Sequence, residues 1–329
     1  MKIIKLTGLI VLVPAFLLSC SKTEKYTYTR FMMDTLFQIT LYSNLPSGTV
    51  EQKVDEAFEI IKGVEQKFSA TLSNSVIYRI NKDGEIFPDV ETRAVFESAY
   101  FYSSLTGGAF DATIMPIMKL WGFHERDYRV PSHNEIKQIL PRIGYQNISI
   151  GKTIKLKNGA KFDPGGFMKG YAVDLATEYL KETGISAGIV NAGGNLRIFG
   201  KKPDNTQWAI GVRHPRDASQ IIEIVFITNE SAISTSGDYE RNFERDGRLY
   251  HHIMSPSTGY PVDNGIVSVS AISPTAEGAD VFSTAIFVMG VDKGIGYANS
   301  REIPALIIVK SNDTLVKVYS DYWNRDNDR

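Results

Sequence analysis

Residues 153–174 read TIKLKNGAKFDPGGFMKGYAVD, and this stretch contains signals for a strand pair, a tight turn and a helix in succession. Alternating residues on both sides of Asn158-Gly159 predict a β-hairpin, because this dipeptide favours a two-residue turn. Asp163 is predicted to end a strand, and the Pro-Gly-Gly turn after it lets bare backbone approach a ligand. The amides of the helix that follows would point back to this turn, where Lys169 adds positive charge. The junction is therefore either an anion-binding site or only a tight turn.

The rest of the chain continues this mixture of strands and helices. A helix that buries one face is predicted from the spacing of Val54, Ala57, Ile61, Val64 and Phe68. Further helices are predicted in RAVFESAYFYSSLTGG, YAVDLATEYLKETG and ADVFSTAIFVMG, and strands in YTRFMMDTLFQITLYS, GIVNAGGNLRIFG, WAIGVRHP, IIEIVFITN, GIVSVSAIS and PALIIVK. Consecutive strands with hairpin signals and only a few helices indicate an α+β fold rather than a doubly wound parallel sheet. We expect one large globular unit, and a division into two lobes stays open.

The N-terminus carries a targeting signal. MKIIKLTGLIVLVPAFLLSC has a basic start and a short apolar run broken by Pro14, which favours a signal peptide over residues 1–19 rather than a membrane-spanning helix. LLSC matches the bacterial lipobox and predicts lipidation of Cys20, with an ordinary signal peptide as the alternative. Cys20 is the only cysteine of the chain, so no intramolecular disulfide can form. We therefore expect a membrane-anchored lipoprotein of the bacterial cell envelope that faces the periplasm or the cell exterior, with residues 20–30 as a tether.

The overall charge does not identify a partner. The 329 residues include 36 Lys and Arg against 37 Asp and Glu. Because the charges balance, no global field would draw in nucleic acid.

Three polar stretches are candidates for chemistry. NAGGN, residues 191–195, indicates either close approach to a ligand or a hairpin with a glycine bulge. ISTSGDYER, residues 233–241, offers hydroxyls that could hold phosphate or sugar oxygens, or else forms a polar β-turn. In YHHIMSPSTGYP, His251 and His252 are adjacent on a predicted strand and point to opposite faces, so they are poorly placed to share a zinc ion. One of them as a general base or substrate contact fits better.

A fourth candidate lies near the C-terminal end. In PTAEGADVFSTAIFVMG, Asp280 and Thr284 are four residues apart on a predicted helix and share one face. A carboxylate and a hydroxyl are hard oxygen ligands that suit Mg²⁺ if a backbone carbonyl and phosphates complete its shell. The alternative is an acid that only complements the helix dipole.

Taken in order, these stretches resemble the ApbE family of FAD:protein FMN transferases. The resemblance runs from Met33 to Gly290, through MMDT, GGAFDAT, DPGGFMKGYAVD, NAGGN, STSGDYER, HHIMSPSTGYP and EGADVFSTAIFVMG. It implies an ApbE-like domain over residues 31–325, with mixed and antiparallel sheets and packed helices. It also implies a Mg²⁺-dependent reaction that moves FMN from FAD to a Thr or Ser hydroxyl of a target flavoprotein and releases AMP. The acceptor would be an Rnf- or Nqr-type subunit or another exported flavoprotein.

The resemblance also implies roles for individual residues. The flavin contacts would be Met33, Thr71, Ala109, Phe110, Asp111, Asp163, Lys169 and Met254. The Gly166 carbonyl would bind Mg²⁺ together with Asp280 and Thr284. The family often has an aromatic or large polar residue where this chain has Thr71, so stacking on a flavin ring is not available there.

His252 is our candidate for the catalytic base, because alternation on a strand places it on the same face as Met254. We expect FMN transfer to fall on acidification through about pH 6.5, the unperturbed histidine pKa, with the midpoint set by the site. Two rival functions would use the same site. They are a Mg²⁺-dependent FAD pyrophosphatase, in which water replaces the acceptor hydroxyl, and a lipoprotein that binds FAD without turnover.

Overall fold

The structure, a computed structural model, describes residues 23–312 and 314–323. Cys20, the signal peptide 1–19, the start of the tether and the last two residues of the predicted domain lie outside these residues. The strands of the described part are β1 Glu24–Met32, β2 Thr35–Ser43, β3 Glu85–Ile86, β4 Ile148–Ile150, β5 Ile154–Leu156, β6 Ala187–Ala192, β7 Asn195–Phe199, β8 Trp208–His214, β9 Asp217–Ile227, β10 Ser231–Gly237, β11 Asn242–Arg245, β12 Arg248–His251, β13 Ile266–Ser273, β14 Ala305–Ser311 and β15 Thr314–Tyr319. Its α-helices are α1 Ser47–Phe68, α2 Val76–Asp83, α3 Val90–Leu105, α4 Met115–Leu120, α5 His133–Ile139, α6 Met168–Glu182, α7 Ala276–Met289 and α8 Val291–Ser300.

The fold is α+β and is organised by one antiparallel sheet. Eight strands follow the order β1-β2-β6-β7-β10-β13-β14-β15, and every neighbouring pair in it is antiparallel. The remaining described strands form a β3-β5-β4 sheet and the two pairs β8-β9 and β11-β12. The mixture of hairpins and helices predicted from the sequence is therefore confirmed.

Each face of the large sheet buries a different set of elements. The helices α1, α6 and α7 pack on one face, where the five apolar residues that predicted α1 are all buried. The β8-β9 hairpin covers the other face with Trp208, Val212 and Val225. A smaller cluster around Trp121 and Phe123 joins α4 and α5 to the β11-β12 pair and the segment after it. In the described residues no helix has the length and apolar character needed to cross a membrane.

Two local predictions were wrong. Residues 24–30 were assigned to a tether, but they belong to β1, which pairs along its whole length with β2. This strand is an exposed sheet edge rich in polar residues, so it lacks the apolar signal of a buried strand. The Asn158-Gly159 segment does turn, but β5 pairs with β4 and β3 rather than with the residues after that turn. Asp163 accordingly lies outside any strand.

Candidate active site

The candidate site is formed where α6 crosses the first turn of α7. Gly170 permits this close approach, since a Cβ atom there would lie only 2.4 Å from the Ala276 carbonyl oxygen. The Asp174 carboxylate of α6 then accepts hydrogen bonds from the backbone N–H groups of Ala276 and Glu277, at 2.8 and 2.9 Å. These contacts fix the start of α7 against α6. Two motifs more than 100 residues apart in the chain are thereby brought together.

The turn before α6 presents backbone groups rather than side chains. Asp163 Oδ1 accepts a hydrogen bond from Gly165 N–H at 2.8 Å, which closes the turn on itself. A Cβ atom on Gly166 would come within 3.0 Å of the Phe110 ring, so this position has room for little more than glycine. In the described residues the Gly166 carbonyl accepts no backbone hydrogen bond, whereas the Gly170 N–H donates to the Asp280 carboxylate. The Gly166 carbonyl thus keeps its lone pairs for another ligand.

Asp280 and Thr284 lie on consecutive turns of α7, as predicted. Asp280 is only 5% exposed and accepts a hydrogen bond from Asn195 Nδ2 at 2.8 Å. The Lys169 ammonium group lies 3.9 Å from Asp280 Oδ2 and 3.5 Å from the Gly165 carbonyl oxygen. Thr284 Oγ1 is 3.1 Å from the hydroxyl of Ser236. A carboxylate, a hydroxyl and an ammonium group therefore converge at the mouth of the turn.

The electrostatics of α7 favour a bound cation. Burial raises the pKa of Asp280 to about 6, although Lys169 and the hydrogen bonds to the carboxylate act in the opposite direction. Burial raises the pKa of Glu277 to about 7, and the nearby charges of Asp174 and Asp280 add to this shift. The positive charge and hydrogen bonds around Asp280 therefore do not offset the cost of burying its ionised carboxylate, and a bound cation would reduce that cost.

The donor set fits Mg²⁺ if other ligands complete the shell. The described residues contain no group of three or more His, Cys, Asp or Glu side chains that could hold a metal ion. Asp280, Thr284 and the Gly166 carbonyl supply only oxygen atoms, and they leave coordination positions open. Mg²⁺ is commonly held in this way by one or two carboxylates together with substrate phosphates and water.

His252 lies just after β12, and its Nε2 atom can accept a hydrogen bond. Its backbone N–H and its ring Nδ1 both approach the Arg241 carbonyl oxygen, at 3.0 and 3.2 Å. Because a carbonyl only accepts, Nδ1 carries the proton, and Nε2 is left with a lone pair. Burial lowers the pKa of His252 well below 6.5, and the positive charges of Arg241 and Lys169 contribute. The ring is therefore neutral at pH 7, and the predicted titration near pH 6.5 moves to lower pH.

His251 points into the protein. Its Nε2 donates to the Val262 carbonyl oxygen at 2.8 Å, and its Nδ1 accepts from Ile253 N–H at 3.2 Å. The ring packs edge-on against Phe287, with 5.6 Å between the ring centroids, and burial lowers its pKa. His251 therefore holds the strand end in place and has no ring nitrogen left for a substrate.

Three of the predicted flavin contacts, Ala109, Phe110 and Asp111, lie in the segment after α3. Phe110 contacts the Gly166 turn, whereas the Asp111 carboxylate is occupied by Thr113 and by the Tyr145 N–H at 2.8 Å. Burial raises the pKa of Asp111. Ala109, next to Phe110, is partly buried. In the described part of the chain, no hydrogen bond or ion pair joins any of these residues to Lys169 or Asp280.

Three other predicted flavin contacts lie on separate segments of the chain. Met33 occupies the β1-β2 turn with a φ of 49°, and its N–H donates to Glu65 at 2.9 Å. Thr71 is exposed just after α1, with its hydroxyl 3.0 Å from that of Ser69. Met254 is 5% exposed within the cluster around Trp121. In the part of the chain that the structure describes, no hydrogen bond joins any of the three to Asp280 or Thr284.

The motifs chosen from the sequence meet in the fold, but the residues in them that contact Asp280 and Thr284 were not predicted. Asn195 and Ser234 form a buried hydrogen-bonded pair beside Asp280. Ser236 contacts Thr284 from the neighbouring strand β10. NAGGN is a hairpin turn between β6 and β7, and Ser231–Gly237 is a strand, not a polar turn. The glycines and hydroxyls marked these motifs as candidates in the sequence. The order of the strands in the sheet is needed to identify which residues contact one another.

A separate cleft of about 550 Å³ lies between α2 and α4. Its wall carries Lys82, Lys119, Arg142 and Lys161 beside apolar residues such as Met115. None of the predicted site residues lines it, although Ala70, the neighbour of Thr71, does. The carboxylate and hydroxyl of α7 are therefore not part of this cleft.

Comparison with known proteins gives a consistent assignment. The ApbE family model matches residues 33–307. An FAD:protein FMN transferase from Klebsiella pneumoniae is 31% identical over 307 residues, which cover 90% of this chain and 93% of that protein. The crystal structure of an ApbE protein from Thermotoga maritima aligns with a TM-score of 0.84 and 35% identity, covering 91% of this chain and 97% of the other. The apo flavinyl transferase ApbE of Pseudomonas stutzeri aligns with a TM-score of 0.82 and 29% identity, over 91% and 96% of the two chains.

Proposed function

The chain belongs to the ApbE family, and from this premise we propose that it transfers FMN from FAD to a Thr or Ser hydroxyl of an acceptor flavoprotein. The observation that carries this proposal is the meeting of Lys169, Asp280 and Thr284 at the α6-α7 crossing. A pyrophosphate bound there would face an ammonium group on one side and the oxygen ligands for Mg²⁺ on the other. Phosphoryl transfer needs mainly such positioning and charge neutralisation.

The reaction exchanges a phosphoanhydride bond of FAD for a phosphoester bond to the acceptor. The acceptor hydroxyl oxygen forms a bond to the phosphorus of the FMN half of FAD. The bond from that phosphorus to the bridging oxygen breaks, and AMP leaves with this oxygen. The hydroxyl proton passes to a base. The product is a flavin attached to the acceptor through a phosphoester, and no oxidant or reductant is needed.

Lys169 would change its partners when FAD binds. Without substrate, its ammonium group lies beside Asp280 and the Gly165 carbonyl. Its side chain is 31% exposed, so it can reach a pyrophosphate oxygen without leaving the site. Mg²⁺ held by Asp280, Thr284 and the Gly166 carbonyl would supply further positive charge to the phosphate oxygens. The buried Asp280 would then be fully ionised.

His252 is the proposed base. Its Nε2 lone pair has no hydrogen-bond partner among the described residues, and its Nδ1–H is fixed by the Arg241 carbonyl. The lowered pKa makes it a weaker base than a free histidine, but it keeps the ring unprotonated at neutral pH. A positioned base of this kind contributes about 10²- to 10⁴-fold in rate.

Hydrolysis of FAD to FMN and AMP is the second candidate, and the exposure of Thr71 favours it. Thr71 has no ring to stack on a flavin, and its hydroxyl is bonded locally to Ser69. A flavin held less firmly on that side would leave room for water as the nucleophile. Incubation of the pure protein with FAD and Mg²⁺ distinguishes the candidates. AMP released only with an acceptor indicates transfer, steady release without one indicates hydrolysis, and intact bound FAD indicates storage.

We also propose that the protein is a lipoprotein anchored through Cys20 at the periplasmic or outer side of the bacterial envelope. The support is the lipobox LLSC, since Cys20 lies outside the described residues. The acceptor would then be an exported or membrane flavoprotein, such as an Rnf- or Nqr-type subunit. Cys20→Ser should move the protein from the membrane fraction to a soluble or unprocessed form. A processed variant that still sediments with membranes would contradict the anchor.

A further inference from the structure

Strand β10 places two serines against the two side-chain ligands of α7. Ser234 and Ser236 are alternate residues of the strand, and both point to the helix-covered face, as does the buried Ala232 before them. Two residues of a strand advance by about 6.7 Å, and four residues of a helix advance by about 6 Å. The spacing of the two serines therefore matches that of Asp280 and Thr284. On this face of β10, the side chains change from apolar to hydroxyl-bearing at the two positions next to these ligands.

The hydrogen bonds around Thr284 have only one consistent direction. Ser283 Oγ donates to the Asp280 carbonyl oxygen at 3.0 Å, so it can only accept from Ser236 Oγ at 2.8 Å. Ser236 has then used its single proton and must accept from Thr284 Oγ1, 3.1 Å away. The proton of Thr284 is thus directed to Ser236. Its oxygen lone pairs remain for a cation.

The hydrogen bonds around Asp280 are directed in the same way. Ser234 Oγ donates to Asn195 Oδ1, which fixes the amide so that Nδ2 donates to Asp280 Oδ2. Ser234 is fully buried, and Asn195 is 4% exposed. Buried polar groups cost stability unless they are hydrogen-bonded, so a site that needed only packing would have apolar residues here. The pair instead directs an N–H group at Asp280 Oδ2 and fixes the orientation of this carboxylate.

We propose that Asn195, Ser234 and Ser236 are positioning residues that orient Asp280 and Thr284 to bind a divalent cation. This inference rests on the proposed function, because it deepens the Mg²⁺ site of that reaction. The three residues contact neither the cation nor the flavin in this assignment. They act by fixing the directions of the hydrogen bonds made to Asp280 and by Thr284. Outer-shell partners of this kind typically change metal affinity by about 10- to 100-fold.

The test measures Mg²⁺ binding to FAD-free protein by calorimetric titration and by the Mg²⁺-induced rise in melting temperature. Ser236→Ala and Asn195→Ala should each weaken Mg²⁺ binding by about 10-fold or more. Thr235→Val is the matched control, because Thr235 is on the same strand but faces away and contacts Ser270 at 2.7 Å. It should bind Mg²⁺ within about 2-fold of wild type, since its hydroxyl is not part of either chain of hydrogen bonds.

A second readout separates positioning from structural damage. At saturating Mg²⁺, Ser236→Ala should transfer FMN at close to the wild-type rate. The variant should differ from the wild type only in needing a higher Mg²⁺ concentration to reach that rate. Wild-type Mg²⁺ affinity in folded Ser236→Ala and Asn195→Ala proteins would overturn the positioning role and leave the proposed reaction intact. An equal loss in Thr235→Val would overturn it too. Absence of any Mg²⁺ effect on the wild type would remove the metal site and this inference together.

Discussion

Replacement of Asp280 by Asn should make the protein more stable and inactive at the same time. Burial raises the pKa of this carboxyl from 3.8 to about 6, so its ionisation at neutral pH costs more free energy in the folded protein than in the unfolded chain. A difference of roughly 2 pKa units corresponds to about 3 kcal/mol. The new NH₂ group replaces one accepting oxygen and faces one of the donors around it, which costs about 1 kcal/mol. The net gain is about 2 kcal/mol in metal-free buffer, or about 4 °C in melting temperature.

The pH dependence of this gain has a defined sign. Between about pH 4 and pH 6 the folded wild type binds more protons at Asp280 than the unfolded chain does, so its stability falls as the pH rises through this window. Asp280→Asn lacks this dependence. Its advantage should be complete above about pH 6 and should shrink on acidification toward pH 4.

The assay compares melting curves of wild type and variant with EDTA and with Mg²⁺. Mg²⁺ should raise the melting temperature of the wild type and leave Asp280→Asn unchanged. Glu277→Gln is the matched control, because Glu277 is another acid of α7 with a raised pKa of about 7 but has Ser98 as its partner. It should gain stability and keep the response to Mg²⁺. A less stable Asp280→Asn would show that ionised Asp280 does not destabilise the fold, and one that Mg²⁺ still stabilises would show that Asp280 does not bind the ion.

Two further predictions concern the base and the helix crossing. His252→Asn should keep FAD binding but lose FMN transfer by about 10²- to 10⁴-fold. Wild-type transfer should persist at pH 6, because the pKa of His252 is well below 6.5. If His252→Asn instead weakens FAD affinity and leaves the maximal rate unchanged, His252 is not the base. Gly170→Ala should lower the free energy of unfolding by about 1–3 kcal/mol, because the new Cβ atom would lie 2.4 Å from the Ala276 carbonyl oxygen. Denaturant titration measures this free energy, and a value equal to that of the wild type would contradict the prediction.

Much of the architecture could be predicted because its signals are local. The apolar spacing in α1 and the glycines after α3 predict both helices within a few residues of their ends. Strand β1 was misassigned because an edge strand needs no apolar face. The pairing of β5 was wrong because Asn158-Gly159 marks a turn without saying which strands meet around it.

The site was predictable in its motifs and not in its contacts. Asp280 and Thr284 share a helix face, which the spacing alone determines. Asn195, Ser234 and Ser236 reach them only because β7 and β10 are neighbours in the sheet and α7 crosses that sheet at one register. A sequence read along the chain does not contain this order. His252 could be separated from His251 by strand alternation, but its lowered pKa arises from burial and from Arg241.

The stoichiometry of AMP release and acceptor labelling tests the central claim most directly. Wild type and Asp280→Asn are each incubated with FAD, Mg²⁺ and an exported acceptor flavoprotein, and AMP is measured by chromatography beside the intact mass of the acceptor. We expect one AMP per covalently attached FMN for the wild type, and neither product for Asp280→Asn or with EDTA. AMP that forms at the same rate without acceptor labelling, or full labelling by Asp280→Asn, would contradict it.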